Sequence, residues 1–211
     1  MHELPPDPAP QHSPPVATVI GFEAALVPTA LVLGWLVGVE PLQTLVWSQH
    51  DLLWGLVATL PLFLGLWMML KVRRGPLARL ITVLDRSIIQ WLRDAQWWEL
   101  AILSAMAGIG EELLFRGLVQ QGFDKWTENP LLALVVSSVL FGLMHAVTRT
   151  YAVLATLVGL YFGYLWLATG NLLVPIIAHG VYDFGALLWL ISTAKHRLAR
   201  RASEGSPDND A

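Results

Sequence analysis

An all-α bundle of helices embedded in a membrane is the fold this chain predicts, and three observations carry the prediction. Of 211 residues, 55% are hydrophobic and 14% are charged, where soluble domains average about 25% charged. Mean hydropathy is +0.56. Ten residues are Trp, a side chain that collects at membrane–water interfaces. Cysteine is absent, which excludes a disulfide framework, thiolate chemistry and a thiolate metal site. The net charge of −3 singles out no partner beyond membrane lipid, and no nucleic acid is expected.

The elements follow in chain order. Residues 1–15, "MHELPPDPAPQHSPP", hold six Pro and neither Lys nor Arg. Lacking the basic start of a signal peptide, they read as a disordered tail. Residues 16–96 supply two spans, at about Val16–Val39 and Leu52–Leu70, followed by "LARLITVLDRSIIQWLRD", residues 77–94. There Leu80, Leu84, Ile88 and Trp91 recur on one side, with Arg79, Arg86 and Arg93 elsewhere. That is the pattern of a helix lying on a membrane surface. Residues 97–194 supply four more spans, at about Trp97–Val119, Leu131–Val147, Tyr151–Ala168 and Leu172–Ile191. The fourth and fifth of the six lie near the lower crossing limit of about 17 residues. Residues 195–211 read as a basic, then acidic, disordered tail.

Charge sets the orientation. With both termini in the cytoplasm, Lys71, Arg73, Arg74, Arg79, Arg86, Arg93, Arg149, Lys195, Arg197, Arg200 and Arg201 all lie inside. That is eleven of the 13 basic residues; Lys125 alone lies outside, and Arg116 falls within a span. The reverse orientation contradicts the preference for cytoplasmic Lys and Arg. A multi-pass protein of the cell membrane is therefore expected.

Against this background "GIGEELLFRG", residues 108–117, is conspicuous. Each ionisable side chain near a bilayer centre costs roughly 2.5–3.5 kcal/mol, and Glu111, Glu112 and Arg116 lie within six residues. Glu112 and Arg116 are four apart and face one another on a helix. Glu111 points about 100° away and has no partner nearby in sequence. Phe141 and His145 share the same spacing on the fourth span, as do His179 and Asp183 on the sixth. Counted along helices from the outer ends, Glu111, His145 and His179 reach roughly 10–24 Å into a core about 30 Å thick, which permits one shared site. The Glu112–Arg116 pair reads as bracing, because a guanidinium can hold a carboxylate and carbonyls together. Glu23, near the cytoplasmic end of the first span, also reads as structural. "GLYFG", residues 159–163, lets another helix of the bundle approach closely; oligomeric state stays open.

Three ordered motifs, EExxxR as "EELLFR" (Glu111 to Arg116), FxxxH as "FGLMH" (Phe141 to His145) and HxxxN/D as "HGVYD" (His179 to Asp183), resemble those of the CPBP intramembrane proteases, also called the Abi or CAAX-protease-and-bacteriocin-processing family. The resemblance covers about residues 97–190. It implies a membrane-embedded endopeptidase acting on a membrane-associated peptide or protein. By that resemblance Glu111 would activate water and His145 would help position it. His179 and the residue four further on would stabilise the oxyanion, with Glu112, Arg116 and Phe141 as support. The prenyl-processing members carry Asn where this chain has Asp183, and an ionised Asp cannot donate a hydrogen bond.

Peptide hydrolysis needs an activated water and a stabilised oxyanion. Glu111, His145, His179 and Asp183 could supply both directly, or could hold Zn²⁺, which activates water itself. The metal-free route is favoured, since His145 lacks the HExxH setting with two ligands on one helix. The competing reading is a non-proteolytic binding or immunity protein, or a small transporter, since intramembrane charges also mark transport pathways. No inverted repeat supports a transporter.

Overall fold

The computed structural model describes residues 16–72, 74–92 and 94–204, and for 85–90 and 194–204 the backbone alone. The expected N-terminal tail and residues 205–211 lie outside the described residues. Those described fold as helices: α1 (Val16–Val37), α2 (Gln49–Val57), α3 (Thr59–Lys71), α4 (Gly75–Leu92) and α5 (Trp97–Glu112) come first. A π-helical segment, Leu113–Gln120, continues α5 into α6 (Gln121–Thr127). Then come α7 (Pro130–Met144), α8 (Arg149–Thr169) and α9 (Leu173–Glu204).

Among the described residues four helical stretches are long and apolar enough to cross a membrane: Val16–Val37, Gln49–Lys71, Arg149–Thr169 and Leu173–Thr193. Their outward faces carry large apolar side chains such as Phe22, Leu36, Leu60, Leu64 and Leu157, which suits contact with lipid rather than water. The protein is an integral membrane protein with an all-α bundle. The other two expected spans differ from the reading. Residues 97–119 belong to a longer helical run that is too rich in charge to resemble an ordinary span. The segment expected at 131–147 forms only the 15-residue α7, stopping at Met144 before "HAVT".

Other boundaries also move. The second span breaks into α2 and α3 at Ala58, which caps one helix and begins the next. The surface helix is present as α4, with Leu80 and Leu92 buried and Trp91 exposed rather than on the inner side. The tail expected from residue 195 begins as helix, since α9 runs on to Glu204. Its "AKHRLARRA" is mostly Ala, Leu, Lys and Arg, all good helix formers.

Two ends of the bundle are distinct. At one, Lys125 donates to the Gly38 carbonyl at 2.8 Å. There too, the Asn171 side chain donates to Val46 O and Asp51 Oδ2, both at 2.8 Å, while accepting from Val46 and Leu173 N–H. Exposed Trp35, Trp47 and Trp126 mark this end. The other end carries α4 and the exposed Trp91, Trp97 and Trp98. Two belts of Trp are what a spanning protein places at its two interfaces.

Helix α5 is the centre of the fold, packed between α1 and α9. Gly108 permits this, since a Cβ there would lie 2.9 Å from Gly180 N and Ile176 O of α9. The GxxxG glycines serve the same bundle, as expected: a Cβ on Gly159 would meet Ser138 Cα of α7 at 3.2 Å, and one on Gly163 would meet Gln120 Oε1 at 2.6 Å. Replacing Gly163 with Leu is therefore expected to overpack the junction, at a cost of about 1–3 kcal/mol. The check is a lower melting temperature in detergent.

Candidate functional site

The site is built around a buried cation. Arg116 is fully buried on the π-helical segment. Its Nη1 donates to Glu112 Oε1 at 3.0 Å and its Nη2 to the Gly159 carbonyl at 2.8 Å. The guanidinium carbon stands 4.8 Å from the centre of the Phe141 ring and 5.6 Å from that of Phe162, favourable positions over aromatic faces. In the same segment, Ser137 Oγ donates to the Phe115 carbonyl at 2.7 Å. A π turn is rare and is found mostly near functional sites; here it joins the two glutamates to the arginine.

Glu112 does more than pair with Arg116. The same Oε1 lies 2.8 Å from His179 Nδ1, so one buried carboxylate accepts from α9 as well as from its own helix. His179 is also stacked on Phe162, with ring centres 4.8 Å apart and planes at 18°. With Nδ1–H committed to Glu112, the Nε2 edge is left facing Asp183 Oδ2 at 3.3 Å and Glu111 Oε2 at 4.0 Å.

His145 arrives from the end of a helix. As the C-cap of α7 it stacks on Phe141, with ring centres 4.4 Å apart, and its Nδ1 lies 2.8 Å from the Phe141 carbonyl. A carbonyl only accepts, so Nδ1 bears the proton. Nε2 then faces Glu111 Oε2 at 3.6 Å. Glu111 itself is 8% exposed, and its Oε2 has no hydrogen-bond partner. The three motifs therefore meet: Glu111, His145, His179 and Asp183 form one cluster, with Glu112, Arg116 and Phe141 packed behind it.

These groups line a cavity of about 740 Å³. Its other walls are mainly apolar, including Leu62, Leu66 and Met69 of α3, Leu80, Ile81 and Leu84 of α4, and Val158 of α8. Fifteen residues of α7 rise about 22 Å, short of a hydrocarbon core about 30 Å thick. With its Asn129 end at one interface, α7 would leave His145 short of the other, and α4 bounds the cavity beyond it.

Four lining residues were not found as site residues in the sequence: Glu23 of α1, Ser104 of α5, Tyr151 of α8 and Tyr182 of α9. Glu23 was read as structural, yet it faces the same space as Glu111. Ser104 lies seven residues, two helical turns, before Glu111 and hence on its face. Tyr182 lies inside "HGVYD", and Tyr151 sets its ring 6.1 Å from that of His145. No sequence signal marks Tyr151.

As candidate zinc ligands the four donors have suitable atoms, but their arrangement is a row. Asp183 faces His179, His179 faces Glu111, and Glu111 faces His145. Among the described residues no three of these side-chain types close around a point at which a metal ion would be held.

Fold and site together define an integral membrane helical bundle with a glutamate–histidine cluster at the foot of an apolar cavity. Residues 93–185 match the family described as Type II CAAX prenyl endopeptidase Rce1-like. That stretch holds all three motifs that resemble the CPBP family. Two proteins of Bacillus subtilis (strain 168) are similar. "Uncharacterized protein YyaK" is 35% identical over 92 residues, covering 39% of this chain and 31% of the relative. "Putative membrane peptidase YdiL" is 29% identical over 104 residues, covering 49% of this chain and 42% of the relative. The chain thus spans less than half the length of either. No solved structure matches it.

Breaking the buried pair should undo the scaffold before the chemistry. Removing one member of such a pair typically costs about 3–5 kcal/mol, a large share of the stability of an ordinary domain. Arg116→Ala is expected to lower membrane yield and the melting temperature in detergent. Normal stability with lost activity would instead assign Arg116 to the reaction.

Proposed function

We propose that this chain is an endopeptidase working within the membrane, hydrolysing peptide bonds of a membrane-associated protein or peptide with a water activated by Glu111. One observation carries the proposal. Glu111 Oε2, without a hydrogen-bond partner, lies at the foot of the cavity 3.6 Å from His145 Nε2 and 4.0 Å from His179 Nε2. These spacings are too long for direct hydrogen bonds and suit a bridging water.

In this mechanism the water donates one proton to Glu111 Oε2 and the other to His145 Nε2, whose own proton is on Nδ1. Both acceptors draw on the same oxygen, leaving its lone pair free for the substrate carbonyl. Glu111 takes the proton as the C–O bond forms and returns it to the amine as the C–N bond breaks. His179, carrying a proton on each nitrogen between Glu112 and Asp183, is the donor for the developing oxyanion through Nε2–H. Asp183, 3.3 Å from that same edge, accepts the Nε2–H at rest and balances the charge of the imidazolium while the oxyanion takes up the bond, a role a carboxylate fills without being protonated. This differs from the oxyanion role that the resemblance implies for that position.

The reaction is proposed to need no metal. The charge pattern supports a cell-membrane location with both termini in the cytoplasm, so that α4 and the open side of the cavity face the cytoplasmic leaflet.

Three substitutions test this reading. Glu111→Gln is expected to abolish cleavage while the protein stays folded in the membrane, and cleavage at the wild-type rate would refute Glu111 as the base. His145→Ala should lower the rate by about 10²–10⁴-fold, the usual worth of a positioned acid–base group. Asp183→Asn should weaken activity by about tenfold through loss of a charged orienting contact, roughly 1.4 kcal/mol, without changing metal content. Unchanged or raised activity would make position 183 an oxyanion donor. Stoichiometric zinc lost together with activity would establish the metalloenzyme instead.

A further inference from the structure

We infer that Glu23 and Ser104 form a subsite for a cationic side chain, so that the preferred substrate is an apolar segment flanked by Lys or Arg. The inference rests on the proteolytic reading above and adds the substrate class. It begins with the charge of the cavity. Three carboxylates line it, from Glu23, Glu111 and Asp183, together with His145 and His179, and among the described residues no Lys or Arg does. Glu111 and Asp183 each have a histidine within 4.0 Å. Glu23 has no ion-pair partner among the described residues, and its buried Oε2 accepts no hydrogen bond.

The position of Glu23 is fixed by packing. Val16, Val19 and Ile20 of α1 lie in the cluster of Leu100 and Leu103, while Val27 and Ala30 lie in that of Leu113. The two helices therefore run in parallel, with Glu23 level with the stretch from Ala107 to Gly110. Gly110 permits the close approach, since a Cβ there would lie 2.6 Å from the Glu23 carbonyl oxygen. On the same wall Ser104, 1% exposed, lines the cavity with an Oγ that has no hydrogen-bond partner. A hydroxyl and a carboxylate oxygen, both buried and unmatched, are costly in apolar surroundings unless a ligand supplies donors. An ammonium or guanidinium supplies several donors and the opposite charge. A free C-terminal carboxylate would meet three carboxylates and, among the described residues, no Lys or Arg, an arrangement that selects against it.

The geometry of a membrane substrate agrees. Glu23 lies about 10 Å along α1 from Val16, within the depth that a long basic side chain spans while its stem stays in apolar surroundings. Membrane segments carry Lys and Arg on their cytoplasmic flanks, the side on which the cavity is proposed to open. Apolar walls with one acidic subsite match such a flank.

The test uses the full-length protein in detergent and three peptides of one apolar sequence, carrying Lys, norleucine or Glu at the same position near the cleaved bond. Wild type is expected to cleave the Lys peptide about tenfold faster than the norleucine peptide, the effect of roughly 1.4 kcal/mol, with the Glu peptide slowest. Glu23→Gln should bring the Lys-to-norleucine ratio near one, Glu23→Lys should favour the Glu peptide, and Ser104→Ala should reduce the ratio in part. An unchanged ratio in Glu23→Gln, or a wild type that prefers the Glu peptide, overturns the inference. Binding of the same peptides to the Glu111→Gln protein, read by Trp fluorescence, separates it from the proteolytic reading. Selective binding that disappears with Glu23→Gln, without cleavage by wild type, supports the subsite and refutes the protease. Cleavage without Glu23-dependent selectivity refutes the subsite alone.

Discussion

Arg116 cannot shed its charge and cannot reach water. A guanidinium stays protonated in proteins, and this one is fully buried in a membrane bundle, so every partner must come from the chain. Glu112 supplies the counter-charge, Gly159 a carbonyl, and Phe141 and Phe162 two ring faces. Those partners sit on α5, α7 and α8, and the shared oxygen of Glu112 reaches His179 on α9. Satisfying one cation thus fixes four helices relative to one another. It also orients the imidazole whose far edge faces the cavity.

The division of labour between the two glutamates follows from this constraint. They are adjacent in sequence and separated by about a quarter-turn of helix, so they meet different surroundings. Glu112 holds a cation and an imidazole through a single oxygen and is an anchor. Glu111 has an oxygen without a hydrogen-bond partner and two imidazole edges nearby, which leaves it available to a reacting molecule. A stable fold and an available group are obtained from two successive residues because only Glu112 is held by close bonds within the protein.

Much of this was legible in the sequence, where it depended on local spacing. The i, i+4 relations of Glu112 with Arg116, Phe141 with His145 and His179 with Asp183 are properties of single helices, and each appears as a contact. Hydropathy gave the bundle, and small residues gave the close approach of α8. What escaped was set by neighbours distant in sequence. The bond from Glu112 to His179 joins residues 67 apart, and the register that brings Glu23 beside Gly110 depends on α1 packing against α5. The break at Ala58 and the end of α7 at Met144 were also hidden, because hydropathy runs smoothly through one and past the other. Helix continues beyond residue 194 because helix-forming residues persist there after the apolar pattern ends.

The brevity of α7 has a consequence for the lipid around it. A helix of 15 residues leaves about 8 Å of a typical hydrocarbon core unspanned. The bilayer answers such hydrophobic mismatch by thinning locally, at fractions of a kcal/mol per ångström. Acyl chains beside α7 are then shortened and disordered relative to those around the full-length α8. Water and head groups are drawn toward the level of His145, where the proposed hydrolysis needs them. The thickness of the host membrane, set by acyl-chain length and sterol content, becomes a variable of the proposed reaction, acting through lipid rather than through any side chain of the site.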